Sequence, residues 1–124
     1  MPSKQLLSGS GWRLGYMPDV EVFVGLVGGD RWAVELTSVE LRDFCRLSLE
    51  LAEAMHQMQQ ELSDQEKLTC ESETEHLYIE VAGYPDEFSL YFRLSTGRNF
   101  EGSWPEDVVP DLLESIDTIQ QSFI

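Results

Sequence analysis

Basic side chains are scarce in this chain: 8 Lys and Arg stand against 23 Asp and Glu in 124 residues, a formal net charge of -15 at pH 7. Such a surface repels phosphate backbones instead of releasing their counterions, which works against nucleic-acid binding as a general property of the molecule. Cysteine is also scarce. Cys45 and Cys70 fall in different expected elements, with no C-x-x-C and no histidine at metal-ligand spacing, so both read as buried thiols. No stretch of about 18 uncharged apolar residues exists to span a bilayer, and Met1 to Leu7 lacks the apolar core of a signal peptide. The expectation is a cytoplasmic protein without a membrane partner. G-x-S-x-G, P-loop and G-x-G-x-x-G patterns are missing too, and Gly25 to Gly29 reads as hairpin punctuation rather than a phosphate cradle. Nothing supports nucleophilic or nucleotide-dependent catalysis, so the chain is expected not to be an enzyme and to need no cofactor.

What is present is the pattern of a folded domain. Hydrophobic residues make up 42% and aromatics 10%, too many for a disordered acidic tail. Residues 1–10 are polar and read as a loose leader, with a single α+β domain over 11–124. Trp12, Leu14 and Tyr16 alternate at strand period; Pro18 and Asp19 mark a turn. Val20, Val22, Val24 and Leu26 suggest a second strand, and Gly28-Gly29-Asp30 a hairpin into a third over Arg31 to Leu36. Thr37-Ser38-Val39-Glu40 fits a capping box, in which hydroxyl and carboxylate satisfy the free amides of a first helical turn. Leu41, Phe44, Ser48, Leu51, Met55, Met58 and Leu62 then step by three and four along a long helix, closing near Ser63 and Asp64 and laid across the sheet.

Period two returns at Leu68, Cys70 and Ser72, at Leu77, Ile79 and Val81, and from Phe88 to Leu94, with Gly83-Tyr84-Pro85-Asp86 as a turn. Thr96-Gly97-Arg98-Asn99 has hairpin chemistry and leads to a short strand over Asn99 to Gly102. Ser103-Trp104-Pro105-Glu106 opens a helical turn, and Pro110 fits only at the start of a new helix carrying Leu112, Leu113, Ile116, Ile119 and Phe123. The fold expected is two antiparallel β-meanders, of three and four strands, with a long helix packed across the sheet and a C-terminal helix.

Candidate chemistry is sparse. His56 and His76 lack helical metal spacing and read as solvent-exposed, so no metal site is expected. Glu71, Glu73 and Glu75 share a strand face, but acid–base work needs a pocket that separates their pKa values, which leaves an enzyme with carboxylates in a cleft as the weakest reading. Residues 61–124 carry 15 acidic and 3 basic side chains, a net of -12, against -3 for residues 1–60. That half reads as a solvated face or as a docking surface for a basic partner. Arg13, Arg31, Tyr78, Tyr91 and Arg93 fall on the parity opposite the apolar sets of their strands, with Arg98 in a turn. Together they form a candidate cation-and-ring platform of the kind that holds single-stranded nucleic acid. Glu35, Glu71, Glu73 and Glu80 share that parity and would pair with the arginines across strands. Phe23 and Val27 also fall outward and are candidate contacts for a second subunit, so a homodimer is expected.

Several segments resemble a family of small uncharacterised cyanobacterial proteins: Gly11-Trp12-Arg13-Leu14-Gly15, Trp32-Ala33-Val34-Glu35-Leu36-Thr37, Asp43-Phe44-Cys45-Arg46-Leu47, Gly83-Tyr84-Pro85 and Glu101-Gly102-Ser103-Trp104-Pro105. The resemblance implies a domain of unknown function with a fold similar to the Whirly-type single-stranded-DNA-binding regulators, and no catalytic residue. Residues and resemblance together lead to a non-enzymatic protein-interaction module using its acidic surface or sheet face. The alternative is a single-stranded nucleic-acid binder using the arginine and tyrosine face.

Overall fold

The computed structural model describes residues 4–61, 66–95 and 97–123; Leu62, Ser63, Asp64 and Thr96, used in the pattern above, lie outside the described residues. Among the described residues, eight strands and two α-helices run in the order β1 (Gln5–Gly9), β2 (Trp12–Tyr16), β3 (Gly25–Gly28), β4 (Ala33–Leu36), α1 (Ser38–Glu61), β5 (Leu68–Glu73), β6 (Leu77–Tyr84), β7 (Glu87–Leu94), β8 (Glu101–Trp104) and α2 (Val109–Gln120), the last running into a 3-10 turn over Gln121–Phe123. The strands form two antiparallel four-stranded meanders, β1-β2-β3-β4 and β5-β6-β7-β8, each followed by a helix. This is the expected α+β architecture with one strand more in the first sheet.

That extra strand corrects the loose-leader reading over Gln5–Gly9, while residues 1–3 of that leader lie outside the described residues. Gln5 to Gly9 pairs with β2 in the register Leu6 to Gly15, Leu7 to Leu14 and Gly9 to Trp12. Leu7 is the member packed on the core, whereas Leu6 stays 60% exposed on the other face, so an edge strand with one half-buried apolar side chain gave no clear alternation.

The second correction concerns β3. Val20 and Val22 are exposed in the β2–β3 loop, which closes through the Met17 amide donating to the Val24 carbonyl at 2.6 Å. The strand begins only at Gly25, opposite Tyr16. A Cβ on Gly25 would lie 3.0 Å from Leu41 Cδ2, so the glycine lets α1 sit directly on the strand and sets its parity. Val27 consequently faces the core, fully buried, and Leu26 points outward. Val27 is therefore a core residue and not a surface available to a second subunit.

Helix α1 starts where the capping box placed it. The Thr37 amide donates to Glu40 Oε1 at 2.9 Å and the Glu40 amide to Thr37 Oγ1 at 3.3 Å. Its 24 residues span about 36 Å at 1.5 Å each. Leu41, Phe44, Leu47, Leu51 and Met55 bury one side of it, largely against β5 and β6, with its beginning on β3 and β4, so the helix crosses both sheets. Helix α2, with Pro110 in its first turn where a missing N–H costs nothing, buries Val109, Leu112, Ile116 and Ile119 against α1 and β2.

The sheets meet at an aromatic seam. Strand β8 occupies Glu101–Trp104 rather than Asn99–Gly102, because the Leu94 amide donates to the Phe100 carbonyl and Asn99 takes a left-handed φ of 53°, which lengthens the turn. Trp104 thereby ends a strand instead of opening a helix, and its Nε1 donates to the Gly28 carbonyl of β3 at 3.0 Å inside the core. Its ring lies 5.1 Å from that of Trp32 and stacks on Phe92 at 5.6 Å, with Phe44 at 5.8 Å. A side chain at Gly102 would strike the Trp32 ring at 2.6 Å, so the second sheet is shaped to receive it.

Candidate interaction face

The outer face of the second sheet collects Glu71 and Glu73 from β5, Tyr78 and Glu80 from β6, Tyr91 and Arg93 from β7, and Glu101 and Ser103 from β8. Their registers align them in two cross-strand rows, Glu71–Glu80–Tyr91–Ser103 and Glu73–Tyr78–Arg93–Glu101. The inner parity of these strands, Leu77, Ile79, Val81, Leu90, Phe92 and Leu94, is buried under α1, which fixes the polar set outward.

Glu71 and Glu80 stand directly opposite each other, an arrangement that repels. The Tyr78 hydroxyl relieves it by donating toward both, with Glu80 Oε1 at 2.7 Å and Glu71 Oε2 as the other partner. Those two acceptors push the Tyr78 phenol well above its ordinary value of 10.0. Tyr91 meets Tyr78 edge-on at 6.1 Å and donates to Glu101 Oε2 at 2.9 Å; burial and this bond raise its phenol too, with Arg93 pulling partly the other way. The Arg93 guanidinium lies over the Tyr78 ring, 4.7 Å from its centroid. One phenolic proton cannot satisfy two carboxylates, so the face presents more acceptors than its own donors fill.

The six residues of the expected cation-and-ring platform do not come together. Tyr78, Tyr91 and Arg93 share this face; the other three arginines lie elsewhere. Arg13, on the outer face of the first sheet, donates from Nε to the Gly29 carbonyl at 3.1 Å and from Nη2 to that of Trp32 at 2.8 Å, bracing the β3–β4 turn. Arg31 is exposed in that turn, before β4 begins. Arg98 donates from Nη1 to Glu40 Oε1 at 2.7 Å and from Nη2 to the Glu35 carbonyl at 2.6 Å, and covers the Phe23 ring at 4.9 Å. It fastens the β7–β8 loop to the start of α1. Phe23, expected as a subunit contact, is half-buried beneath it.

A second polar cluster had no counterpart in the sequence reading. His76 is half-buried rather than solvent-exposed: its Nδ1 lies 2.9 Å from Asp43 Oδ2, to which Thr74 Oγ1 donates at 2.7 Å. Thr74 Oγ1 also accepts the His76 amide at 3.0 Å, so the β5–β6 turn is latched onto α1. Burial pushes the Asp43 carboxyl up, but the bonds from Thr74 and His76 and the nearby His76 and Arg46 charges outweigh it and hold the group below 3.8. Asp43 and His76 are 33 residues apart, and no local spacing signals the pair. Cys45 is buried and free, its thiol pushed by burial up to about 12, an inert state. Among the described residues, no three His, Cys, Asp or Glu side chains group closely enough to hold a metal ion, and no helix is long and apolar enough to cross a membrane.

An α+β protein of two joined antiparallel meanders, the second with a polar outer face, is the class these features define. Residues 7–119 match the family described as domain of unknown function DUF1818, and the chain belongs to that family. A solved structure of a protein of unknown function, ascribed to the DUF155 family of the cyanobacterium Prochlorococcus sp. NATL2A, superposes with a TM-score of 0.86 at 24% identity, over 93% of this chain and 98% of that one. At that identity the likeness concerns the fold. No curated protein matches the chain.

Proposed function

We propose that the protein is a non-enzymatic interaction module of the cytoplasm whose second-sheet face binds a basic segment of another protein. One observation carries this reading: the Arg93 guanidinium over the Tyr78 ring, beside carboxylates already short of donors, is an internal sample of how the face holds a cation. Four carboxylates, Glu71, Glu73, Glu80 and Glu101, surround one arginine there, and the chain's overall charge of -15 would steer a basic partner toward it. Two free cysteines suit a reducing compartment.

The test is a titration of the protein with an arginine-rich peptide, followed by amide shifts in heteronuclear NMR at low and moderate salt. Shifts should centre on β5 to β8, weaken as salt rises, and be at least about tenfold harder to induce in Glu80→Gln/Glu101→Gln. Shifts spread evenly over every acidic surface would mean non-specific attraction and overturn the reading. A mixed single-stranded oligonucleotide serves as the second arm, since the fold expected from the Whirly-type resemblance and the paired tyrosine rings of the face motivate it. Tighter binding of the oligonucleotide than of the peptide would replace the protein partner by nucleic acid.

A further inference from the structure

Each sheet ends in two edge strands, and β5 is the longest of the four, with six residues against five in β1 and four each in β4 and β8. Its pairing with β6 runs unbroken from Leu68 opposite Gly83 to Glu73 opposite Tyr78. The turn between them fixes where its backbone groups point. The Thr74 amide donates to the Leu77 carbonyl at 2.8 Å, which makes those two residues a hydrogen-bonded pair. Bonded and non-bonded pairs alternate along an antiparallel ladder. Leu68, Cys70 and Ser72 therefore turn their N–H and C=O groups to β6, while Thr69, Glu71 and Glu73 turn theirs to the open side. All three are exposed, and among the described residues no strand pairs with that side. The strand contains no proline, lysine or bulge to blunt it; its guard is the two carboxylates of Glu71 and Glu73.

We infer that the basic segment binds as an added strand along β5, extending the second sheet by backbone pairing. This rests on the basic-segment reading of the face and specifies how the segment is held. Charge selects the occupant. Glu71 and Glu73 lie on the face that also carries Glu80 and Glu101, so a second copy's β5 would bring its own carboxylates beside them and is repelled. Lysine or arginine at alternate positions is attracted instead. The inner parity sets the positions between. Leu68 and Cys70 are only half-buried, whereas Leu77, Ile79 and Val81 of the next strand are fully buried. Cys70 Sγ already lies 3.8 Å from Met55 Sδ of α1, so an apolar side chain set beside Cys70 by an added strand would extend the core. The partner is therefore an extended stretch in which basic and apolar residues alternate, the basic ones on the side of Glu71 and Glu73.

The probe is a blocked peptide of alternating arginine and valine, titrated into the full chain beside two derivatives, one N-methylated at its arginine amides and the other at its valine amides. All three carry the same charge, so they separate backbone pairing from simple attraction. In an antiparallel addition the arginines opposite Glu71 and Glu73 turn their amides to β5 and the valines turn theirs away. Methylation at arginine should therefore weaken binding at least about tenfold and methylation at valine leave it unchanged; the reverse order would mark a parallel strand. The parent peptide should slow hydrogen exchange of the Thr69, Glu71 and Glu73 amides, with little change at Cys70 and Ser72, which already bond to β6. Thr69→Pro removes one outward N–H without altering charge or a ladder bond, and should weaken the parent peptide at least about fivefold, with circular dichroism checking its fold. Equal affinity of the two methylated peptides overturns strand addition while leaving the face as the docking site. No binding of the parent peptide overturns that reading and this inference with it.

Discussion

The two sheets share a plan, four antiparallel strands in sequence order followed by a helix, yet their outer faces have opposite characters. The first places Leu6, Gly15, Leu26 and Ala33 outward with one arginine and one glutamate. The second places two tyrosines and four carboxylates there with one arginine. Burial of the inner parity fixes the scaffold in both cases and leaves the outer parity free to diverge. The scaffold therefore says little about function, and the face says most of it.

The seam joins the two sheets into one body, and the largest loss of stability is expected there. Trp104→Ala removes a side chain that is 1% exposed together with its bond to Gly28, and should cost about 4 kcal/mol in urea denaturation. A second transition appearing in that curve would show the meanders unfolding separately. Next in size is Arg98→Met, which leaves the 2% exposed Glu40 carboxylate without its closest cation and should cost about 2 kcal/mol, measured the same way.

Two smaller effects concern the second sheet and its β5–β6 turn. Ultraviolet titration should find the Tyr78 phenol ionising above 10.0, and Glu71→Gln/Glu80→Gln should bring it back toward that value. The Asp43 latch predicts an acid-side loss. Because the folded group sits below its unfolded value, its contribution is complete above about 3.8 and disappears as pH falls from there through the folded value. Relative to Asp43→Asn, the wild type should lose thermal stability across that window. The effect is small because the site is partly open to solvent.

Elements with a strong local signature were legible. The capping box at Thr37 and Glu40, the helical stripe from Leu41 to Met55, and the uninterrupted alternation of β5 to β7 each rest on residues a few positions apart. Tyr78, Tyr91 and Arg93 could be placed on one face because their hairpins are consecutive and parity carries directly from strand to strand. Strand β1 was hidden because Leu6, its most apolar outward residue, breaks the buried-in, polar-out rule. The parity of β3 was set by α1 closing on Gly25, a contact sequence spacing does not encode. Arg98 lies in a turn as read, but its role was hidden for a related reason, since its carboxylate partner Glu40 is 58 positions away and on another element.

The seam between the sheets also governs how quickly the molecule can form. The Trp104 indole and the Gly28 carbonyl are separated by 76 residues, so this bond closes only after the second meander has been laid down to its last strand. Contacts of such long sequence separation slow two-state folding, because chain entropy is lost before they return any energy. With Trp32 only 5.1 Å away, the two indoles form a built-in optical pair whose fluorescence and near-ultraviolet dichroism would register that final docking step directly.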